Sequence, residues 1–280
     1  MGRECRVILV AGKKGVGKTV ETVKMIYNYV KGTPNKPPRK ALIFDVNDEF
    51  SSFWYFGQTH SVKAISLKDI TKFSMSNIIE VRRIRPFFDD GKRMTINDMT
   101  EVLGIILEQY RNGLLLEEDI NKYTGDYMQV DLIGALATAR HVGLDVIAHF
   151  QGVGRLANPK LVGNCNFIRL HKCNDTIKRH EKKFEEKTEI MQLAEIIINN
   201  RYKQGDTRFF LYVDVDNSKV LGAFTQAEID TAVQEYVELN QKKLLHPILN
   251  KRDLNGNKLN DYNSAITSVI NNLKEEYFSK

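Results

Sequence analysis

Apolar residues along the chain fall into short unbroken runs separated by segments with helical spacing. The runs at 6–11 (RVILVA), 41–46 (ALIFDV), 114–118 (LLLEE) and 144–150 (LDVIAHF), with 166–170 (NFIRL) as a fifth, are apolar at successive positions. Such runs mark strands buried on both faces. Between them, 18–30, 96–110 and 130–142 repeat apolar residues at helical intervals. Strand–helix alternation predicts an α/β domain wound right-handedly around a mostly parallel sheet flanked by helices. Residues 208–224 read as two strands joined by a turn at DNS, an antiparallel hairpin closing one sheet edge. The segments 226–239 and 262–278 are amphipathic helices separated by the polar stretch 250–261. The chain therefore divides into an α/β domain over 1–225 and a helical C-terminal appendage over 226–280. The stretch 31–40, with three of the six prolines, is a basic connecting loop rather than a boundary.

Composition narrows the class. A chain of 280 residues with 42% hydrophobic and 27% charged content suits one main globular domain. No run approaches the roughly 18 apolar residues of a membrane span, and MGRECRVILV carries no cleavage site, which predicts a cytoplasmic protein without a membrane anchor. Arg6 stands where a myristoylation signal requires Ser or Thr. Cys5, Cys165 and Cys173 are too few and too scattered for a disulfide framework or a zinc site. A net charge of +6 permits a polyanionic partner without requiring one. The basic clusters RRIR (82–85) and KRHEKK (178–183) are candidate phosphate contacts, the second reading equally well as a solvated helix face.

The strongest chemical signal follows the first strand. Residues 12–19, GKKGVGKT, fit G-x-x-x-x-G-K-T with a strand before and a helix after. Glycines let the backbone curl so that its N–H groups converge on phosphate oxygens, and the helix aims its positive end at them. Lys18 supplies a point charge to the β- and γ-phosphates, and the Thr19 hydroxyl is a ligand for Mg²⁺. The nucleotide-binding set predicted here is Gly12, Lys13, Lys14, Gly15, Val16, Gly17, Lys18, Thr19 and Val20, with ATP and Mg²⁺ as cofactors.

Hydrolysis needs carboxylates at the C-terminal end of a neighbouring strand, where α/β proteins place ligands. NGLLLEED (112–119) supplies three. Glu117 is assigned to the magnesium shell and Glu118 to activation of water, an assignment open to a one-residue slip along Glu117, Glu118 and Asp119. In ARHVGLDVIAHFQG (139–152), Gln151 emerges at a strand end and is placed to sense the γ-phosphate or the lytic water. Arg140 is the candidate arginine finger toward a neighbouring subunit, with Arg155 as its competitor.

Taken in order, AGKKGVGKT (11–19), ALIFDVNDEF (41–50), GLLLEED (113–119) and ARHVGLDVIAHFQG (139–152) resemble the FtsK/HerA superfamily of DNA-pumping ATPases. Within it, the likeness is to viral genome-packaging ATPases and zonula-occludens-toxin-like proteins, over roughly residues 5–225. The resemblance implies a RecA-like P-loop core that assembles into a ring of five or six subunits. It further implies double-stranded DNA as the moving partner and a capsid or portal vertex as the docking point. The segment YTGDYMQ (123–129) is a candidate pore loop. KKGVGKT also resembles the phosphate loop of ParA/MinD-type ATPases, in which a lysine at the Lys13 position contacts the partner's nucleotide. Against that dimeric alternative stand Lys14, where that family has glycine, and the triple acid of LLLEED. A non-hydrolysing nucleotide-binding scaffold is the third alternative.

Overall fold

Side-chain alternation along the strands sorts the apolar residues of the computed structural model into two layers. The structure describes residues 5–55, 57–123, 134, 138–156, 158–252, 255 and 258–278. The strands are β1 (Val7–Ala11), β2 (Ala41–Phe44), β3 (Ser52–Tyr55), β4 (Gln58–Ser61), β5 (Lys63–Ala64), β6 (Val81–Ile84), β7 (Leu114–Glu117), β8 (Asp145–Phe150), β9 (Phe167–His171), β10 (Phe210–Asp214) and β11 (Lys219–Leu221). Nine of the described strands form one sheet in the order β11-β10-β9-β1-β8-β7-β2-β6-β5, with β3 and β4 as a separate hairpin. Pairing is parallel from β9 to β5 and antiparallel at β9–β10–β11. This is an α/β P-loop fold whose glycine loop leaves β1 near the middle of the sheet.

One face packs on α1 (Lys18–Lys31). Val10, Ala41, Ile43, Leu114, Leu116 and Ile147 meet Val23 and Ile26 there. The opposite face carries Leu9, Leu42, Phe44, Leu115, Val146, Ala148 and Ile168. It is covered by α2 (Ile96–Gln109), which starts at a Thr95–Asp98 capping box, and by α3 (Thr188–Lys203). The helical spacing at 96–110 foresaw α2. It did not foresee α3, whose buried residues run almost without interruption from Thr188 to Ile198 and so show no single apolar face.

Strands β5 and β6, at one side of the sheet, also escaped the apolar pattern, because charged residues interrupt them. In β6, VRRI, the basic cluster is internally neutralised: Arg83 bonds Asp45 at 2.6 Å and also Asp48, Arg85 meets Asp48 at 2.8 Å, and Arg82 meets Glu80 at 2.6 Å. Opposite charges within hydrogen-bond reach thus already engage the arginines of the candidate phosphate-contact cluster 82–85. In 178–183, Lys178, Arg179, Lys182 and Lys183 are exposed. Most of the predicted 130–142 helix lies outside the described residues, and Arg140–Val142 forms a single 3₁₀ turn.

The C-terminal helices are α4 (Gln226–Leu239), α5 (Gln241–Leu249) and α6 (Tyr262–Phe278). Ile229, Val233 and Val237 of α4, with Val269 and Leu273 of α6, join the same apolar cluster as the sheet face and α3. Polar bonds close the junction: the Tyr236 and Tyr277 hydroxyls donate to the two carboxylate oxygens of Glu189 at 3.0 and 2.8 Å. Because Leu273 is 4% exposed, Leu273→Ala removes a packed side chain. It should lower stability by about 2–5 kcal/mol. Calorimetry should show one shifted transition for the whole chain, and separate melting of a tail would contradict this shared core.

Candidate phosphate-binding site

The loop after β1 begins as an extension of the sheet. The Gly12 N–H donates to the Phe150 carbonyl at 3.2 Å and the Lys13 N–H to the Lys172 carbonyl at 2.9 Å. A Cβ on Gly12 would lie 2.7 Å from that of His171, so only glycine allows this close approach to β9. The chain then turns through Gly17, at φ +85°, directly into α1. Lys14, Gly15, Gly17, Lys18, Thr19 and Val20 line a cavity of about 420 Å³. Gly12, Lys13 and Val16 do not line it. Val16 is 2% exposed. Lys13 is turned away, its ammonium donating to the Tyr202 hydroxyl at 2.8 Å and lying 4.4 Å from the centre of that ring.

Lys18 curls back over the loop and donates to the carbonyls of Gly12 at 2.6 Å and Lys13 at 2.9 Å. Burial lowers its pKa, while Asp119 and Glu118 are among the negative groups that oppose the shift. A desolvated ammonium held by loop carbonyls at the N-terminus of a helix is a ready partner for an anion.

Beneath this turn lies a polar cluster that the linear pattern did not reveal. Arg169 of β9 is fully buried and donates to the Lys18 carbonyl at 3.0 Å and to the Thr22 hydroxyl. Thr22 Oγ1 lies 2.7 Å from His149 Nε2. Because arginine only donates, the Thr22 hydroxyl accepts from Arg169, and its bond with His149 Nε2 takes its direction from the tautomer of the ring. Burial, followed by the charges of Arg169 and Lys18, pushes the His149 pKa well below its usual value, in keeping with a neutral ring. His171, also buried, is pushed down to about 3, first by burial and then by Arg169. The cluster bolts the first turn of α1 to β8 and β9.

The acidic side of the cavity is built by β2, β7 and β8. Leu114 and Leu116 face α1, so the pleat sends Leu115 and Glu117 to the other face of the sheet and returns Glu118 to the α1 side. Glu118 and Asp119 line the cavity, and Glu117 does not. Glu117 is fully buried, with no hydrogen-bond partner among the described residues for either carboxylate oxygen. The alternation of the strand thus sets the Glu117 carboxylate, the candidate for the magnesium shell, on the sheet face opposite Glu118 and outside the cavity that Thr19 lines.

Gln151 does reach the cavity, its amide donating to Asp119 Oδ1 at 2.7 Å. Asn47 donates to Glu118 Oε2 at 3.4 Å and accepts from Lys122 at 2.7 Å. Glu49 also lines the cavity. The loop that carries it is fixed by Asp45, whose carboxylate accepts from the Glu49 and Phe50 N–H groups at 2.9 Å each. Arg208, at the approach to β10, completes the lining, its aliphatic stem 3.4 Å from the position of a Cβ on Gly17. Asn47, Glu49, His149 and Arg208 were missed in the sequence. The position of Arg208 depends on β10 running antiparallel to β9, for which residue spacing gives no signal. Arg155 is exposed on the turn Val153–Leu156. The side chain of Arg140 and the candidate pore loop beyond Tyr123 lie outside the described residues.

The residues fit a magnesium nucleotide. Mg²⁺ retains several waters and is held by one or two protein oxygens together with substrate phosphates, and Thr19 and Glu118 place a hydroxyl and a carboxylate on one cavity. The described residues contain no group of three His, Cys, Asp or Glu side chains arranged to hold a metal alone, so such an ion would draw on the phosphates for its remaining ligands.

Strand, glycine loop, helix N-terminus and facing acids form a candidate phosphate-binding site on an α/β P-loop fold. No family model and no curated protein matches the chain. Among solved structures it is similar to the genome packaging NTPase B204 from Sulfolobus turreted icosahedral virus 2 in complex with AMP. There the identity is 16% over 80% of this chain and 99% of that one, with a TM-score of 0.47. It is similar also to B204, the DNA-packaging ATPase from Sulfolobus turreted icosahedral virus, at 18% identity over 77% and 95% of the two chains, with a TM-score of 0.49. The N-terminal domain of zonular occludens toxin from Neisseria meningitidis matches at 17% identity over 61% and 79%, with a TM-score of 0.33.

Burial raises the Glu117 pKa to about 8, from 4.5 for an ordinary glutamate. The folded protein thus keeps a proton that the unfolded chain releases. The stability this contributes is complete below about pH 4.5 and is lost as pH rises toward about 8. The melting temperature of Glu117→Gln should fall less steeply than that of the parent across this range. Equal slopes in parallel thermal melts would show that Glu117 does not hold the proton.

Proposed function

We propose that this chain is a Mg²⁺-dependent ATPase that drives DNA through a ring of its own copies, packaging a viral genome into a capsid at its portal vertex. The observation that carries the reading is the convergence of Lys18, Thr19, Glu118, Asp119 and Gln151 on one cavity. Coupling to DNA, ring assembly and the capsid rest on the resemblance of the four ordered motifs to the FtsK/HerA superfamily. Among the described residues no helix is long and apolar enough to cross a membrane.

The chemistry follows from where the side chains point. Lys18 leaves the loop carbonyls for the β- and γ-phosphates, and the N–H groups opening α1 hold the remaining oxygens. Mg²⁺, when bound, neutralises phosphate charge. Thr19 and Glu118 are the residues that would hold it, the carboxylate role moving one residue from Glu117. Burial, reinforced by the charges of Asp45 and Glu49, raises the Glu118 pKa to about 8, and a bound cation would favour its ionised form. Asp119, in contact with Gln151, takes the attacking water, and Gln151 links that carboxylate to the γ-phosphate. Arg140 acts from the neighbouring subunit. The engagement of Lys13 by Tyr202 weighs against the ParA-like alternative, which needs that lysine free to reach a partner.

Lys18→Ala should abolish ATP binding in calorimetry. Asp119→Asn should retain binding within about threefold while turnover falls by about 10²–10⁴, the usual contribution of a positioned general base. An Asp119→Asn protein hydrolysing ATP at the parental rate would refute that role. Double-stranded DNA should stimulate the ATPase of a five- or six-membered ring seen by native mass measurement. A DNA-insensitive dimer would overturn the motor.

A further inference from the structure

The phosphate cavity continues past the start of α1. Thr19 and Val20 line both that cavity and a second groove of about 600 Å³, whose remaining walls are Val23 and Lys24 of α1 and Phe53, Trp54 and Tyr55 of β3. Trp54 is 72% exposed and Val20 44%. Two exposed apolar side chains thus line a groove that adjoins the polar site. The groove walls are held in register. The Tyr55 ring lies 4.3 Å from that of Tyr27 on α1, and β3 follows directly from the loop that Asp45 caps.

A nucleotide has the form to fill both cavities. Its phosphates belong at the N–H groups of the first turn of α1, and the sugar and base must then leave the last of those groups along an adjoining surface. Val20 is the residue common to the first turn and the groove. We propose that the groove between α1 and β3 is the base subsite of the nucleotide, with the base stacked against Trp54 and packed on Val20. The proposal rests on the reading of the glycine loop as a nucleotide cradle.

The groove also sets the selectivity. Its polar groups beyond Thr19 are engaged locally: Lys24 pairs with Glu21 at 2.7 Å, and the Tyr55 hydroxyl lies 3.5 Å from Asn28 Oδ1. A wall whose main feature is ring area binds chiefly by stacking, and stacking tolerates any base with a π face. ATP and GTP should therefore bind alike, with pyrimidine nucleotides weaker through their smaller rings.

Trp54 is the sole tryptophan of the chain, so its fluorescence reports on this groove alone. The full chain is titrated with Mg²⁺ and ATP, GTP or inorganic tripolyphosphate, following emission and heat together. ATP and GTP should change the emission with the midpoint found by calorimetry, whereas tripolyphosphate should bind without changing it. Trp54→Ala should weaken ATP and GTP about tenfold, within the range of base–aromatic stacking, and leave tripolyphosphate affinity unchanged, which also shows that the variant is folded. Trp54→Phe should recover most of the loss. Parental ATP affinity in Trp54→Ala, or an emission change with tripolyphosphate equal to that with ATP, would overturn the base subsite while leaving the phosphate cradle intact. An emission change that tracks protein concentration and ignores nucleotide would assign the groove to contact between copies and overturn it as well. Absence of heat with both ATP and tripolyphosphate would overturn the cradle itself, and the base subsite with it.

Discussion

Arg169 reaches from β9 under the first turn of α1, and the geometry of the phosphate loop depends on it. Its guanidinium holds the Lys18 carbonyl and the Thr22 hydroxyl, and Thr22 in turn holds His149 on β8. Hydrogen bonds from a charged group contribute about 1.5–3 kcal/mol each when their partners are buried. Two strands and one helix are thereby fixed within one turn of Lys18 and Thr19 on the cavity wall. Burial, reinforced by this same charge, holds the His149 and His171 pKa values down, and the guanidinium adds positive potential beneath the loop. A cation there is costly without an anion above it, which suits a loop whose own lysine is temporarily satisfied by backbone carbonyls.

A second constraint is the pleat of β7. Consecutive acids at a strand end cannot share a face, so Glu117 enters the apolar layer beside Phe44 and Tyr123 while Glu118 turns toward α1. Asp119 adopts a left-handed conformation, at φ 46°, immediately after the strand and meets Gln151. Three adjacent carboxylates thus acquire three environments. The polar bonds of Asp45 and Asn47 do the same for β2, converting a strand end into a rigid loop that brings Glu49 to the cavity and leads on to the aromatic hairpin.

The chain stated much of this in its linear order. GKKGVGKT between an apolar run and a helix named the cradle, and LLLEED and IAHFQ named the strands whose ends face it. Those signals are legible because burial on both faces demands unbroken apolar runs, and because a phosphate loop demands glycine where the backbone turns through positive φ. Strands β5 and β6 and the helix α3 were not legible, β5 because it is two exposed residues long, β6 because charge pairs replace apolar contact, and the helix because it is buried nearly all round.

By itself, then, the sequence determined the wound α/β order, the glycine loop with Lys18 and Thr19, and the acids and glutamine at strand ends, since local backbone geometry and hydrophobic periodicity are written residue by residue. Only the tertiary structure decided which carboxylate faces the loop, that Lys13 belongs to Tyr202, that Arg169 underlies α1, that Arg208 borders the cavity, and that Trp54 borders the groove beside it. Those facts depend on the pleat of a strand and on pairings between residues far apart in the chain, where proximity is set by packing and leaves no periodic trace.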